Sequence, residues 1–133
     1  MHPTLGNGKI CYLGIPTGDI ARSAEFYQRV FGWRVRRRED GSAAFDDGVG
    51  EVSGTWVLGR APAADAGLLI YIMVDDAAAV VEAIRAGGGE IVQTIDPGSE
   101  DVTATFRDPG GNLMGILQRR GQSASAAGQV EIR

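Results

Sequence analysis

The sequence predicts an α+β fold: two tandem βαβββ modules forming an open, curved eight-stranded mixed sheet with the helices on its convex face. Two observations carry this. The first is a hairpin corner, Phe106-Arg107-Asp108-Pro109-Gly110-Gly111-Asn112-Leu113-Met114-Gly115, in which Pro109 presets φ and Gly110 tolerates a positive φ, so two extended segments fold back on each other. The second is repetition. Phe45-Asp46-Asp47-Gly48-Val49-Gly50-Glu51-Val52-Ser53-Gly54 is a worn copy of that corner, with Phe45, Asp47, Gly50 and Gly54 matching Phe106, Asp108, Gly111 and Gly115. Tyr12 to Ala21 likewise lies over Leu69 to Ala78 at an offset of 57, which becomes 61 past the following helix and strand. The second module thus carries four extra residues around Asp96-Pro97-Gly98, and two similar units are expected to pair about a pseudo-twofold axis.

Residues 1–8 are punctuated by Gly and Pro and read as a loose arm. The first module, 9–59, opens with a strand from Lys9 to Pro16, closed by Pro16-Thr17-Gly18. Asp19 is a good N-cap for a helix whose stripe of Ile20, Ala24, Tyr27 and Phe31, widened by Phe26 and Val30, runs to a stop at Gly32. Trp33 to Arg38, Ala43 to Asp46 and Val52 to Leu58 are its remaining strands. Residues 60–66 are small, turn-prone and aperiodic, a linker. The second module, 67–118, repeats the programme. Leu68 to Val74 is a strand, Asp75 or Asp76 caps a helix with Ala77, Val80, Val81 and Ile84 on one face, and Gly87-Gly88-Gly89 ends it. Glu90 to Ile95, Val102 to Phe106 and Leu113 to Gln118 complete the strands, and 119–133 reads as a flexible tail of low complexity.

At 133 residues, 44% apolar and 23% charged, the chain has the size and composition of one soluble globular domain. It has neither an apolar run of membrane-spanning length nor the pattern of a signal peptide, so a cytoplasmic protein without a membrane partner is expected. Cys11 is alone, which excludes a disulfide framework or thiolate cluster. A net charge of -4 argues against nucleic acid. The cluster Arg34-Val35-Arg36-Arg37-Arg38 reads first as the solvated face of an alternating strand, with recognition of an anionic ligand as the alternative.

Two βαβββ modules, Ile15-Pro16-Thr17-Gly18-Asp19, Arg22-Ser23-Ala24-Glu25-Phe26-Tyr27, Val30-Phe31-Gly32-Trp33 and the Phe106 to Asn112 corner together resemble the vicinal oxygen chelate superfamily over residues 9–118. That group includes glyoxalase I, extradiol dioxygenases, fosfomycin-resistance enzymes and bleomycin-resistance proteins. In its metal-dependent members the resemblance implies one ligand from the first and last strand of each module, usually His, Gln or Glu. The matching positions here are Tyr12, Gly54, Leu69 and Gly115, none an ordinary divalent-metal ligand. A slip of one residue brings only Cys11 or Leu13, Ser53 or Thr55, Leu68 or Ile70, and Met114 or Ile116. His2, the single histidine, lies in the arm. No metal and no cofactor are therefore expected.

Strand alternation places Tyr12, Gly14, Pro16, Val52, Gly54 and Trp56 on the concave face. Leu69, Tyr71, Met73, Leu113, Gly115 and Leu117 join them from the second module. The opposite parity, with Cys11, Leu13, Ile15, Ile70, Ile72, Met114 and Ile116, is aliphatic and should carry the helices. Three rings, a methionine and three glycines on one face suggest a binding surface for a small aromatic or apolar molecule, with Trp56, Tyr12 and Tyr71 as anchors and Trp33 at the rim. The bland reading is that the rings pack against one another or a second subunit. Three functions follow: a metal-independent binding protein, an enzyme acting on a small carbonyl compound through tyrosine and carboxylates such as Asp46, Asp47 and Glu51, or a structural or regulatory homodimer. A homodimer is expected in each case, because the open sheet leaves strand edges exposed.

Overall fold

The computed structural model describes residues 3–65, 67–95 and 101–119. His2, Asp96 to Glu100 and the tail beyond Arg119 lie outside the described residues. The first module contains β1 (Tyr12–Pro16), α1 (Ile20–Phe31), β2 (Arg34–Arg37), β3 (Ala43–Asp46) and β4 (Ser53–Val57). The second contains β5 (Tyr71–Met73), α2 (Ala77–Ala86), β6 (Glu90–Gln93), β7 (Asp101–Arg107) and β8 (Leu113–Arg119). The eight strands form two mixed four-stranded sheets, β1-β4-β3-β2 and β5-β8-β7-β6, so β1 and β5 are edge strands of their own sheets.

Matching caps start the two helices. Asp19 Oδ1 accepts the Arg22 N–H at 3.1 Å, and Asp76 Oδ1 accepts that of Ala79 at 3.2 Å. Gly32, at φ 70°, ends α1 in the left-handed conformation, its N–H bonding the Gln28 carbonyl and that of Trp33 the Tyr27 carbonyl. The buried side of α1 (Ala24, Phe26, Tyr27) and that of α2 (Ala77, Val81, Ile84) contribute to one core with Ile15, Phe45, Phe106, Met114 and Ile116. Trp33 stands in this core, 4.5 Å from Tyr27 and 4.6 Å from Phe45 between ring centroids, instead of at a rim.

The second hairpin corner joins the modules. Asp108 is buried, and its Oδ1 accepts the backbone N–H groups of Gly110 and Asn112 at 3.0 and 2.9 Å. Its Oδ2 accepts the hydroxyl of Tyr27, from the other module, at 2.7 Å. Asn112 Nδ2 donates across the boundary to the Pro16 carbonyl at 2.7 Å, and Asn112 Oδ1 accepts the Ala63 N–H at 2.9 Å. A side chain at Gly110 would come within 2.8 Å of the Pro16 carbonyl, so the close approach requires glycine.

The first corner differs by one residue. Asp47 N–H bonds to the Val52 carbonyl, whereas Asp108 N–H bonds to that of Asn112, so the first turn spans one residue more. The extra residue shifts β4 against the repeat: Phe45 pairs with Gly54 as Phe106 pairs with Met114, and Thr55 takes the place of Gly115. In the parallel ladder, Tyr12 pairs with Ser53, Gly14 with Thr55 and Ile15 with Trp56. A one-residue shift sends every side chain of a strand to the other face. Gly54 and Trp56 therefore face the helices, and Ser53, Thr55 and Val57 share the side of Tyr12 and Gly14.

Two further expectations change. Cys11 is exposed because it precedes β1 and escapes the strand's alternation. The arm from residue 3 is tied down: Glu51 accepts the Thr4 N–H, the Thr4 hydroxyl and Lys9 Nζ at 3.1, 3.0 and 3.1 Å. The Thr4 N–H, followed by Lys9 and the Thr4 hydroxyl, holds the Glu51 carboxyl below its usual range. In β2, Arg36 pairs with Asp46 at 2.9 Å and Arg38 reaches Ser42 at 3.3 Å, with all four arginines exposed.

Burial raises the Tyr27 phenol well above its ordinary value, and the Asp108 carboxylate raises it further through its charge and then its hydrogen bond. Tyr27→Phe should lower stability by about 1.5–3 kcal/mol, the range for a hydrogen bond to a charged group. The raised phenol favours the folded state fully below about pH 10 and loses that advantage as pH rises further, because the unfolded chain then releases the proton first. Denaturant melts should therefore show the largest gap between wild type and Tyr27→Phe below about pH 10, narrowing above it.

Candidate functional site

The modules leave an apolar cavity of about 600 Å³ beside β5. Leu13, Phe31, Trp33 and Val52 line it from the first module, as does the Asp47-Gly48-Val49 turn. Leu68 to Met73 form the opposite wall, and Ile10 of the arm completes it. Strand β5 contributes residues of both parities because it is a sheet edge.

Of the nine residues proposed from strand alternation, Leu69, Tyr71 and Met73 line this cavity. Gly115 supports it from behind: Tyr71 and Gly115 are ladder partners, and a Cβ at Gly115 would meet the Tyr71 ring at 2.6 Å. Leu117 pairs with Met73 in the next rung. Tyr12 and Gly14 lie on the open face of β1, with Tyr12 56% exposed, and do not line the cavity. Trp56 is 2% exposed, 4.9 Å from Phe45 and 6.0 Å from Tyr27 between centroids, so it is a core residue and no ligand anchor. Gly54 is packed against Phe45 and the Leu13 carbonyl.

Sequence patterning missed Phe31 and Val49 as cavity residues; it had Trp33 at the rim and Asp47 among the candidate carboxylates, and both line the cavity. Their signal is the repeat itself, which places α1's last turn and the first corner at one end of the module. Phe31 stacks on Tyr27 and Phe106 at 5.8 and 5.9 Å, and Trp33 is held between Tyr27 and Phe45. Trp33 thus has a stacked ring on either side.

This architecture agrees with the comparisons. The model of the Glyoxalase/Bleomycin resistance protein/Dioxygenase superfamily matches residues 9–116. The chain belongs to that superfamily. A probable lactoylglutathione lyase of Vibrio parahaemolyticus is 28% identical, over 93% of this chain and all of that protein. The lactoylglutathione lyase of Haemophilus influenzae is 30% identical, over 84% of this chain and 93% of its own length. Among solved structures, a glyoxalase/bleomycin resistance protein/dioxygenase family enzyme of Burkholderia phytofirmans superposes with a TM-score of 0.68 at 21% identity, covering 80% of this chain and 95% of that one. The fosfomycin resistance protein FosX of Mesorhizobium loti also reaches 0.68, at 16% identity, over 92% and 98% of the two chains. These two share the fold.

The superfamily's metal centre finds no fitting donors here. With the register of β4 corrected, the four positions are Tyr12, Thr55, Leu69 and Gly115, and the Tyr71 ring lies where a side chain at Gly115 would begin. Among the described residues, no three His, Cys, Asp or Glu side chains come together to hold a metal ion. No described helix is long and apolar enough to cross a membrane.

The Trp56 indole N–H is buried and has no hydrogen-bond partner among the described residues. Trp56→Phe should stay within about 1 kcal/mol of wild type, because relief of that unsatisfied donor offsets lost packing. Trp56→Ala should cost about 3–5 kcal/mol. Chemical denaturation of both variants checks this pair.

Proposed function

We propose that this superfamily member binds a small apolar or aromatic molecule without using a metal. The carrying observation is the 600 Å³ cavity bounded by Leu13, Phe31, Trp33, Leu69, Tyr71 and Met73. Its size and apolar lining with few polar groups are the usual form of a small-molecule site. The poor donors at Tyr12, Thr55, Leu69 and Gly115 support a role outside the metal chemistry of the superfamily. Sequestration by shape and ring contacts needs no reacting group.

The relatives named lactoylglutathione lyase favour the alternative of an enzyme acting on a small carbonyl compound. On that reading, the acid-base groups near the cavity are Asp47 and the Tyr71 hydroxyl. A further reading adds a second copy: Tyr12 and Met73, 56% and 59% exposed on edge strands, suit a homodimer that covers them.

Thermal shift against divalent metals and planar aromatic compounds separates these readings, since a ligand selective for the folded state raises the midpoint with its occupancy. Metal-free binding predicts a dose-dependent rise with an aromatic compound, unchanged by chelator, and none with metals. A metal-induced rise that chelator reverses would overturn it. In sedimentation, Met73→Arg should dissociate a dimer built on this edge.

A further inference from the structure

The two corners of the repeat hold equivalent aspartates in unlike surroundings. Asp108 has both carboxylate oxygens engaged, by its own turn, by Asn112 and by the Tyr27 hydroxyl. Asp47 opens the matching turn, and its Oδ1 accepts the Glu51 N–H at 2.8 Å. The helix position equivalent to Tyr27, 57 residues on, is Ile84, which has no hydroxyl to give. Among the described residues the second oxygen of Asp47 therefore has no hydrogen-bond partner. The side chain is half-buried and, among the described residues, is the only formally charged one lining the cavity.

The surroundings carry the same sign. Helix α1 ends at Phe31, itself a lining residue, so the negative end of the helix dipole lies at this edge of the cavity. The opposing charge is Arg34, which shares a neighbouring pocket of about 240 Å³ with Asp46 and Asp47 on the other side of the turn. Asp46 is engaged there by Arg36 and by Ser53. The rings of Phe31 and Trp33 suit contact with an aromatic ring, in the offset or T-shaped arrangements favoured by ring quadrupoles.

We infer that the cavity takes an aromatic or apolar amine, its ring against Phe31 and Trp33 and its protonated nitrogen on the free oxygen of Asp47. This rests on the cavity being the ligand site. A charge-assisted hydrogen bond in a largely apolar cavity discriminates by charge as well as by shape.

Calorimetric titration with three probes of one shape tests it: 1-naphthylmethylamine, 1-naphthylmethanol and 1-naphthoate. The amine should bind about tenfold or more tighter than the alcohol, and naphthoate weakest. Asp47→Asn keeps an oxygen that can accept the Glu51 N–H, and should weaken the amine about tenfold or more, abolishing its preference over the alcohol. Leu69→Trp, which narrows the cavity, should weaken every probe that binds. Circular dichroism melts confirm that both variants fold.

Equal or tighter binding of the alcohol or naphthoate, or an Asp47→Asn variant with unchanged preference, would overturn the charge assignment and leave the cavity reading standing. Loss of naphthoate binding in Arg34→Gln would instead assign Arg34 as the recognising group. Binding of none of the probes by wild type, or binding insensitive to Leu69→Trp, would overturn both.

Discussion

The hydrogen bond from Tyr27 to Asp108 is the contact on which the arrangement of the modules depends. A carboxylate this deeply buried is costly unless its oxygens are satisfied, and Asp108 gathers donors from its own turn and from a helix of the other module. Asn112 adds a second tie across the same boundary, to the Pro16 carbonyl. Because the corner is rigid, the ties fix α1 against the second sheet, and Phe26 and Phe31 then meet Phe106 at 6.1 and 5.9 Å. The shared core and the position of β5 beside Leu13 and Val52 follow from that docking.

Most of the fold could be read from residue order. Asp19 and Asp76 announce the helix starts, Gly32 the stop, and Pro109 the corner, because each acts through local backbone chemistry, although the positive φ expected at Gly110 falls on Gly111. What escaped was the register of β4. Aligning the corners on Phe45, Asp47, Gly50 and Gly54 assumes turns of one length, and the extra residue before Val52 is invisible until the ladder is seen. That single step moved Trp56 from a supposed ligand face into the core, and with it the strongest supposed anchor.

The candidate site divides along the same line. Leu69, Tyr71 and Met73 were legible because they sit on one strand with simple alternation. Phe31 was not, and Trp33 and Asp47 were named without their place beside β5, since that meeting depends on how one module docks on the other. Alternation within a strand carries no information about that contact. Cys11 and the arm failed for a related reason: neither belongs to a regular element, so their placement rests on Ser53 and Glu51, far away in sequence.

Duplication also explains why one module could keep a structural aspartate and the other could release its copy. The buried corner takes the Tyr27 hydroxyl of α1, and α2 carries no hydroxyl side chain. Where α2 has Ile84, Asp47 retains its turn bond but no partner from the other module, and it stays half-buried at a cavity wall. The positions that the superfamily resemblance matches to metal ligands are also apolar or small at Leu69 and Gly115. Gly115 gives its space to the Tyr71 ring and Leu69 adds apolar surface, so the volume near β5 suits a greasy ring better than an ion. On the proposed reading, the polar handle of the site has moved from the ends of the central strands to a turn. A ligand held there is recognised by one carboxylate and by the rings of half-buried Phe31 and buried Trp33.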